Sequence, residues 1–136
     1  MKITLLSIFP DIQSYGIRTI SACLKKEGHD VDLVFLQKDF KTYAEKTLND
    51  LIKLIKGSDL VGITLMTNFW DNAIQITEKI KKNYNIPVVW GGIHPTILPE
   101  QTLENDLVDI VVRGKGEFIL KELVETLAEN EDLSKV

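Results

Sequence analysis

The residues of this chain that could do chemistry stand at the ends of predicted strands. Gly91 and Gly92 follow a short apolar run, and His94 comes two residues later. Two adjacent glycines let the backbone turn sharply and let a large flat group come close to it. A tight turn without any bound molecule also explains them. The pair therefore predicts either a turn or a point of close approach for a ligand.

Two other strand ends carry polar side chains. Asp11, Gln13 and Gly16 follow the first apolar run with the spacing D-x-Q-x-x-G, and Thr64 and Met66 flank a leucine after the third. Carboxylate, amide and hydroxyl groups at these places can form hydrogen bonds to a ligand. No pairing of a nucleophile with a general base and no set of metal ligands is visible in the sequence. The chemistry that these residues predict is binding rather than catalysis.

Length, composition and charge are those of a globular domain. The chain has 136 residues, of which 44% are hydrophobic and 26% charged, as expected for one domain with a single core. The formal net charge is −4 and the basic residues form no stripe, which argues against nucleic-acid binding. The apolar runs are too short for a transmembrane helix, and the first residues suit a strand better than a signal peptide.

Cys23 is the single cysteine of the chain, and it stands within an amphipathic helical pattern. We expect it to be a small core residue. One cysteine permits no disulfide within the chain and no cysteine cluster around a metal. The cytoplasm is the compartment that this cysteine usage predicts.

The apolar residues alternate along the chain between the period of a strand and the period of a helix. Predicted strands cover residues 2–9, 29–36, 59–65, 86–90 and 108–112. Predicted helices cover residues 15–27, 43–56 and 117–129, with a third that ends near Asn83, a short one at 99–103 and a linker at 39–42. We expect Thr67 or Asn68 to cap the third helix. Residues 1–130 would form one domain, and residues 131–136 would begin a linker.

This alternation predicts an α/β fold of the flavodoxin-like (Rossmann-like) type, a five-stranded parallel sheet with helices on both faces. The continuous apolar run of the third strand suits the centre of the sheet, and the period-two alternation of the second suits an edge. Five strands of this length favour the order 2-1-3-4-5. In that order the loops after strands one, three, four and five line one crevice at the carboxyl edge of the sheet.

The loop residues exclude three ligands that such sheets often bind. A phosphate-receiver site needs an acid pair after strand one, an aspartate ending strand three and a lysine ending strand five, whereas strand three ends at Thr64-Leu65-Met66 and strand five at Arg113. A flavodoxin needs a Ser/Thr/Gly loop after strand one, and residues 9–13 read Phe-Pro-Asp-Ile-Gln. No G-x-G-x-x-G follows strand one, so the dinucleotide fingerprint is absent.

The loop after strand one does resemble a motif of another family. Asp11-x-Gln13-x-x-Gly16 is similar to the D-x-H-x-x-G motif of cobalamin-binding domains, with glutamine in place of histidine. In that family the histidine is the lower ligand of cobalt, and the aspartate holds its other ring nitrogen. An amide nitrogen has no comparable lone pair. The resemblance therefore implies a corrinoid with its benzimidazole detached and no protein nitrogen on its lower face.

Further motifs narrow this resemblance to one branch of the family. The family's Ser-x-Leu after strand three stands here as Thr64-Leu65-Met66, and its Gly-Gly after strand four is kept in the segment 91–96, Gly-Gly-Ile-His-Pro-Thr. Residues 109–117 read Asp-Ile-Val-Val-Arg-Gly-Lys-Gly-Glu. Together these segments resemble the amino-terminal domain of B12-binding radical S-adenosylmethionine (SAM) proteins, which include anaerobic porphyrin-ester cyclases and corrinoid methylases. The resemblance covers nearly the whole chain.

The resemblance implies a cobalamin site at the carboxyl edge of the sheet. The glycines would open a slot for the corrin and its nucleotide tail, Thr64 and Thr67 would form hydrogen bonds to the tail, and Met66 would supply apolar contact. We expect Gly92→Val to weaken binding more than folding if the backbone φ is negative there, and to strain the fold if it is positive. The residues implied at the site are Asp11, Gln13, Ser14, Tyr15, Gly16, Thr64, Leu65, Met66, Thr67, Gly91, Gly92, Ile93, His94, Arg113 and Gly114.

Several residues in these loops have two possible roles. Phe69 and Trp70 either contact the tail or pack at the start of a helix. His94 either faces the corrin or caps a turn. Arg113 either meets a phosphate or propionamide of the ligand or pairs with an acid such as Glu117.

One cysteine is too few for radical SAM chemistry, which needs three cysteines spaced C-x-x-x-C-x-x-C to hold an iron–sulfur cluster. The resemblance therefore implies a non-catalytic cobalamin module that holds a corrinoid for methyl transfer or radical chemistry. SAM and a 4Fe-4S cluster would belong to a radical SAM domain of the same full-length protein, the expected partner. The alternative is a flavodoxin-like small-molecule-binding or interaction domain without cobalamin.

Overall fold

A computed structural model describes residues 1–9, 11–36 and 42–130 of the chain. Most of the expected linker at 39–42 and all of the expected linker at 131–136 lie outside these ranges. The five strands form one parallel sheet in the order β2-β1-β3-β4-β5, which confirms the predicted flavodoxin-like topology. The strands are β1 (Lys2–Ser7), β2 (Asp30–Phe35), β3 (Leu60–Thr64), β4 (Val88–Gly91) and β5 (Ile110–Val111).

Six helices connect and cover the strands in the described part of the chain. A short 3₁₀ turn, Thr67–Phe69, precedes the third of them. The helices are α1 (Tyr15–Lys26), α2 (Glu45–Leu54), α3 (Trp70–Asn83), α4 (Ile93–Ile97), α5 (Pro99–Leu103) and α6 (Gly116–Ala128).

The register of the central strands brings three predicted motifs side by side. Ser7 at the end of β1 pairs with Thr64 at the end of β3, and Thr64 pairs with Gly91 at the end of β4. The carboxyl ends of parallel strands share one edge of a sheet, so the loops that follow them meet there. This edge is where a ligand of such a fold binds.

The two faces of the sheet carry separate hydrophobic clusters, because alternate residues of a strand point to opposite faces. On the face covered by α2 and α3, called the α2/α3 face, Val61, Ile63 and Trp90 pack against residues such as Leu51 and Ile76. The other side, the α1/α6 face, has a cluster that joins β1, β3 and β4 to α1 and α6. That cluster includes Ile3, Leu5, Leu60, Val89, Leu24, Leu120 and Val124.

Trp90 is the largest fully buried side chain of the α2/α3 face. Its Nε1 donates a hydrogen bond to Thr77 Oγ1 at 3.1 Å, so the polar atom of the indole is satisfied inside the core. The ring of Trp70 packs against it edge-on, with 5.1 Å between centroids and an interplanar angle of 82°. Phe69 packs in the same manner against Phe9, at 6.2 Å. Both aromatic residues at the start of α3 therefore pack against neighbouring rings.

Some local expectations are wrong in detail. The second helix was expected to begin at Tyr43 but begins at Glu45, because the Tyr43 backbone N–H and C=O are bonded to the side-chain amide of Gln75. No side-chain hydrogen bond caps the third helix, and the Thr67 hydroxyl contacts His94. Cys23 is half-buried rather than a core residue.

Candidate functional site

A cleft of about 180 Å³ opens at the carboxyl edge on the α1/α6 face, between the sheet and the two helices. We call it the glycine cleft, because six of the sixteen described residues that line it are glycines. Its remaining lining is mostly aliphatic. The lining residues are Leu5, Ser14, Gly16, Ile17, Ile20, Gly62, Ile63, Thr64, Val89, Gly91, Gly92, Val112, Gly114, Gly116, Glu117 and Leu120.

Missing side chains create this cleft. A Cβ on Gly62, in the middle of β3, would lie 2.9 Å from Leu5 Cδ2. A Cβ on Gly116, at the start of α6, would lie 2.9 Å from Ile20 Cδ1, so this glycine lets α6 approach α1 closely. An added Cβ on Gly16 would meet no described heavy atom within 4 Å. The glycines thus bring the walls together while keeping the space between them open.

An ion pair links the two helices that form the walls. Lys121 Nζ of α6 donates a hydrogen bond to Glu27 Oε1, just past the end of α1, at 2.7 Å. This hydrogen bond and the positive charge lower the pKa of Glu27 below its usual value of 4.5. The same hydrogen bond raises the pKa of Lys121 above 10.5. Both groups are in contact with solvent, so the pair adjusts the position of the helices more than it stabilises the fold.

A second, shallower hollow adjoins the cleft at the ends of β1 and β3. We call it the rim hollow. It has a volume of about 280 Å³ and shares Ser14, Thr64 and Gly92 with the glycine cleft. Its other described lining residues are Phe9, Leu65, Met66 and Ile93. The rim hollow thus forms an apolar surface, and the glycine cleft forms a slot beside it.

Gly91 and Gly92 turn out to have different roles. Gly92 has a φ of +105°, and a Cβ there would lie 2.5 Å from the Leu65 carbonyl oxygen and 2.9 Å from Thr64 Oγ1. Only glycine adopts this backbone without strain. A Cβ on Gly91 would make ordinary contacts, the nearest at 3.7 Å from the Val112 carbonyl oxygen. Gly92 is therefore required by the turn and by the neighbouring strand, and Gly91 is not.

The loop after β1 is a turn closed by its own aspartate. Asp11 Oδ1 accepts a hydrogen bond from the Gln13 backbone N–H at 2.8 Å, while the Gln13 side chain is exposed. Arg18 of α1 supports the loop, because its Nε donates to the Ile12 carbonyl at 2.6 Å. The Arg18 guanidinium lies over the ring of Phe35, 4.9 Å from its centroid. No pattern in the sequence singles out Arg18.

His94 packs beside the aromatic residues of the α2/α3 face rather than in either space. It is 5% exposed, and its ring lies 4.8 Å from that of Trp70. Its Nδ1 is 3.0 Å from the Thr67 hydroxyl, so it links the loop after β3 to α4. Its Nε2 is buried and has no hydrogen-bond partner within the described ranges. This histidine lines neither the glycine cleft nor the rim hollow.

The structure brings together most, but not all, of the residues expected at the site. Asp11 and Gln13 lie on the exposed loop after β1, Tyr15 is an exposed residue at the start of α1, and Arg113 is exposed. In the part of the chain that the structure describes, Arg113 forms no ion pair, so the expected pairing with Glu117 is absent. The expected residues that line the cleft or the hollow are Ser14, Gly16, Thr64, Leu65, Met66, Gly91, Gly92, Ile93 and Gly114.

Sequence reasoning missed three lining residues that shape the cleft. Gly62 stands inside an otherwise apolar strand, and this position is itself a signal of close approach. Gly116 completes a Gly-x-Gly with Gly114 at the start of α6. Glu117 was considered only as a partner for Arg113, yet it lines the cleft.

Two further features are absent from the described ranges, a metal site and a membrane-spanning helix. No three His, Cys, Asp or Glu side chains there stand close enough together to hold a metal ion. Among the same residues, no helix has the length and apolar character needed to cross a membrane.

The chain matches a family and several longer proteins. The model of the B12 binding domain family matches residues 1–124. The chain is 38% identical over 120 residues to an uncharacterized methyltransferase of Pyrococcus horikoshii, covering 85% of the chain and 25% of that protein. It is 32% identical over 103 residues to the anaerobic magnesium-protoporphyrin IX monomethyl ester cyclase of Rubrivivax gelatinosus, covering 73% and 18%. The chain thus spans about a quarter or less of these relatives.

Solved structures share the fold. The radical SAM methyltransferase TsrM from Kitasatospora setae superposes with a TM-score of 0.80 at 25% identity, over 97% of this chain and 26% of that one. The cobalamin-dependent SAM radical enzyme OxsB, solved with aqua-cobalamin, gives 0.78 at 22% identity, over 97% and 19%. A response regulator receiver protein from Burkholderia phymatum, at 14% identity and a TM-score of 0.64 over 97% and 98%, shares the flavodoxin-like fold.

Proposed function

The chain belongs to the B12-binding domain family, and from this premise we propose that it holds a base-off corrinoid for a radical SAM enzyme. The observation that carries the proposal is the glycine cleft beside the rim hollow. A corrin would lie over the hollow, and its nucleotide tail would enter the cleft. When bound, the cobalt supplies a centre that takes up and releases a methyl group or an electron. The chain's own residues bind and orient this group.

The residues of the cleft fit a nucleotide tail. An enclosed apolar cavity of about 150 Å³ is enough to hold benzene, and the glycine cleft has about 180 Å³ with aliphatic walls. A flat heteroaromatic base can therefore enter between Leu5, Val89 and Leu120. Ser14 and Thr64 carry hydroxyl groups where the cleft meets the hollow, and these can form hydrogen bonds to the more polar parts of the tail.

The arrangement of imidazoles and amides supports a lower face without a protein nitrogen. Gln13 is exposed, and an amide nitrogen is a poor ligand for cobalt. His94 is buried beside Trp70 and lines neither space. His29 contacts the amino terminus of Met1, at the opposite edge of the sheet. None of the three is placed as a lower ligand of cobalt.

The reaction itself belongs to a domain other than this one. Cys23 alone cannot hold the cluster of a radical SAM enzyme, which needs three cysteines. The relatives are methyltransferases and cyclases, four times as long as the matched region or longer. We therefore assign residues 1–130 to the corrinoid-binding domain and residues 131–136 to the start of a linker. SAM and a 4Fe-4S cluster would be held by a radical SAM domain of the same cytoplasmic protein, which would carry out methyl transfer or radical chemistry.

A spectroscopic titration tests the state of the corrinoid. The protein is titrated with hydroxocobalamin, the cobalt is reduced to cob(II)alamin, and absorption and EPR spectra are recorded. We expect binding with a base-off spectrum and no nitrogen hyperfine splitting from a lower ligand. Gln13→Ala should leave the spectrum unchanged. Splitting from a protein nitrogen would contradict the base-off proposal, and failure to bind any corrinoid would contradict the function.

Gly16→Val tests whether the tail uses the cleft. The substitution places a branched side chain where an added Cβ meets nothing, in the first turn of α1. Valine has a higher helix propensity than glycine, so the free energy of unfolding should not fall. We expect cobalamin affinity to fall by about tenfold or more, the effect of losing about 1.4 kcal/mol.

Ala22→Val is the matched control, since it adds the same side chain to an exposed position of the same helix. It should leave the affinity within twofold of that of the unmodified protein. Unchanged affinity in a folded Gly16→Val variant would mean that the tail does not pass this side of the cleft.

A further inference from the structure

Glu117 is the single ionisable side chain among the described residues that line the glycine cleft. It stands in the first turn of α6, at the start of a helix that runs away from the carboxyl edge. Leu120 lies three residues further along on the same side of the helix, is buried, and also lines the cleft. The Glu117 side chain therefore stands on the α6 wall near the mouth, with Gly16 and Gly114 nearby in the lining.

The Glu117 carboxylate has no protein partner within the described ranges. No hydrogen bond or ion pair joins it to another side chain, although it is half-buried. The nearby Lys121 is engaged with Glu27 and Glu125. A carboxylate that is partly removed from water without a hydrogen-bond donor is unfavourable. A ligand that supplies an O–H or N–H donor at this point would remove that cost.

The start of a helix is a favourable position for an acidic side chain. The amino terminus of α6 carries a partial positive charge that favours an acidic side chain in the first turn. The charge also defines what can bind beside it. A phosphodiester is negatively charged and accepts hydrogen bonds only, so it is repelled from Glu117, whereas hydroxyl and amino groups are attracted.

We propose that Glu117 is a specificity-determining residue that accepts a hydrogen bond from a donor on the nucleotide tail of the corrinoid. This inference rests on the proposed function and goes beyond it, because it names the part of the ligand that the cleft selects. The donor is a ribose hydroxyl or the amino group of a purine lower base. The dimethylbenzimidazole base of cobalamin has no O–H or N–H group of its own, so in cobalamin the donor can only be on the ribose. The tail phosphate would be kept away from the Glu117 carboxylate by charge repulsion, and Arg113 and Lys115 are exposed cations in the same loop.

The test compares three corrinoids that differ only in the tail. Dissociation constants are measured for cobalamin, for cobinamide, which lacks the nucleotide, and for the cobamide with adenine as its lower base. For Glu117→Ala we expect the affinity for the adenine cobamide to fall by about tenfold, typical of a lost hydrogen bond to a charged group, and the affinity for cobalamin to fall equally where the donor is the ribose hydroxyl. The affinity for cobinamide should stay within twofold. The substitution enlarges the cleft rather than blocking it, so a loss of affinity reports a lost contact.

The lower base separates the two possible donors. Equal losses for cobalamin and the adenine cobamide assign the bond to the ribose hydroxyl, and a larger loss for the adenine cobamide assigns it to the amino group. Glu122→Ala is the matched control, since Glu122 is an exposed acid on the same helix. It should change none of the three affinities. Thermal melts establish that all variants are folded.

Two results would overturn the proposal. One is an equal loss of affinity for cobinamide and cobalamin, which would place the contact on the corrin. The other is unchanged or higher affinity of Glu117→Ala for both complete corrinoids. Failure of the unmodified protein to bind cobalamin and cobinamide would refute the proposed function instead, so the two failures are distinguishable.

Discussion

On the α2/α3 face Trp90 fills the space over β4, whereas on the α1/α6 face Gly62 has no side chain and borders the glycine cleft beside Leu5. The two residues belong to adjacent rungs of one ladder, since Ile63 pairs with Trp90 and Gly62 pairs with Val89. Side chains alternate between faces along a strand, so Ile63 packs in the α2/α3 cluster while its neighbour Gly62 borders the glycine cleft. The sheet therefore packs densely on the α2/α3 face and borders the proposed binding cleft on the α1/α6 face.

The largest expected effect is the loss of the α2/α3 core. Trp90→Ala removes a fully buried indole, takes away the hydrogen bond that Thr77 Oγ1 accepts and leaves a cavity beside Trp70. We expect the free energy of unfolding to fall by about 3–5 kcal/mol. Chemical denaturation monitored by circular dichroism measures it.

Leu120→Ala is the matched change on the α1/α6 face. Leu120 is nearly buried, but it already borders the glycine cleft. Its loss enlarges an existing opening instead of creating a sealed cavity, so we expect a cost of about 2 kcal/mol. If Leu120→Ala lowered the free energy of unfolding as much as Trp90→Ala or more, the proposed difference between the two faces would be contradicted.

Gly92 lines the cleft, but its missing side chain also makes room for a neighbouring strand. A substitution there therefore affects the fold. Gly92→Ala combines a positive φ with a Cβ 2.5 Å from the Leu65 carbonyl oxygen. We expect it to reduce the free energy of unfolding by about 3 kcal/mol. For Gly92→Val we distinguish a negative φ, where binding would suffer more than folding, from a positive φ, where the fold would be strained. The positive φ is the second of these cases. That variant would thus disturb folding and binding together, and Gly16→Val is the cleaner test of the cleft.

Gly91→Ala is the control for this experiment. An added Cβ there makes only ordinary contacts with Val112, so the free energy of unfolding should change by less than about 1 kcal/mol. Thermal or urea denaturation of both variants compares them directly. Equal costs at the two positions would show that the turn at Gly92 relaxes more easily than its geometry indicates.

The smallest expected effect concerns the ion pair across the α1/α6 face. Glu27 has a lowered pKa in the folded state, so its contribution to stability is present above its unfolded pKa and is lost as the pH falls through the folded value, below 4.5. Lys121 has a raised pKa, so its contribution is lost only as the pH rises past 10.5. Lys121→Gln should therefore lower the melting temperature slightly at pH 7 and not at all at strongly acidic pH.

Salt and a control variant sharpen this last prediction. Both partners are exposed to solvent, so added salt should reduce the difference between Lys121→Gln and the unmodified protein. Lys53→Gln removes a more exposed lysine, 3.9 Å from Asp50, and should leave the melting temperature unchanged. If the difference in melting temperature between Lys121→Gln and the unmodified protein persisted at high salt and at strongly acidic pH, Lys121 would be acting through packing of its aliphatic part.

Local pattern alone determined the architecture of this protein. The alternation of strand and helix periods predicted a parallel sheet, and the number and length of the strands favoured the order 2-1-3-4-5 that the structure has. It also predicted that β2 is an edge strand and that the polar loops meet at the carboxyl edge. The motif around Asp11 and the Gly91-Gly92 pair indicated the family, because such motifs are short and contiguous in the chain.

Tertiary structure decided what each of these residues does. The φ of Gly92 and its contact with Leu65, the pairing of Thr67 with His94, and the placing of Glu117 in the cleft all depend on segments far apart in sequence. The hydrophobic period fixes which face of a strand is buried, but not which side chains from other elements cover it. Those contacts arise only when the helices pack against the sheet. The cleft that Gly62 lines is bounded by residues of α1 and α6, so it exists only in the packed structure.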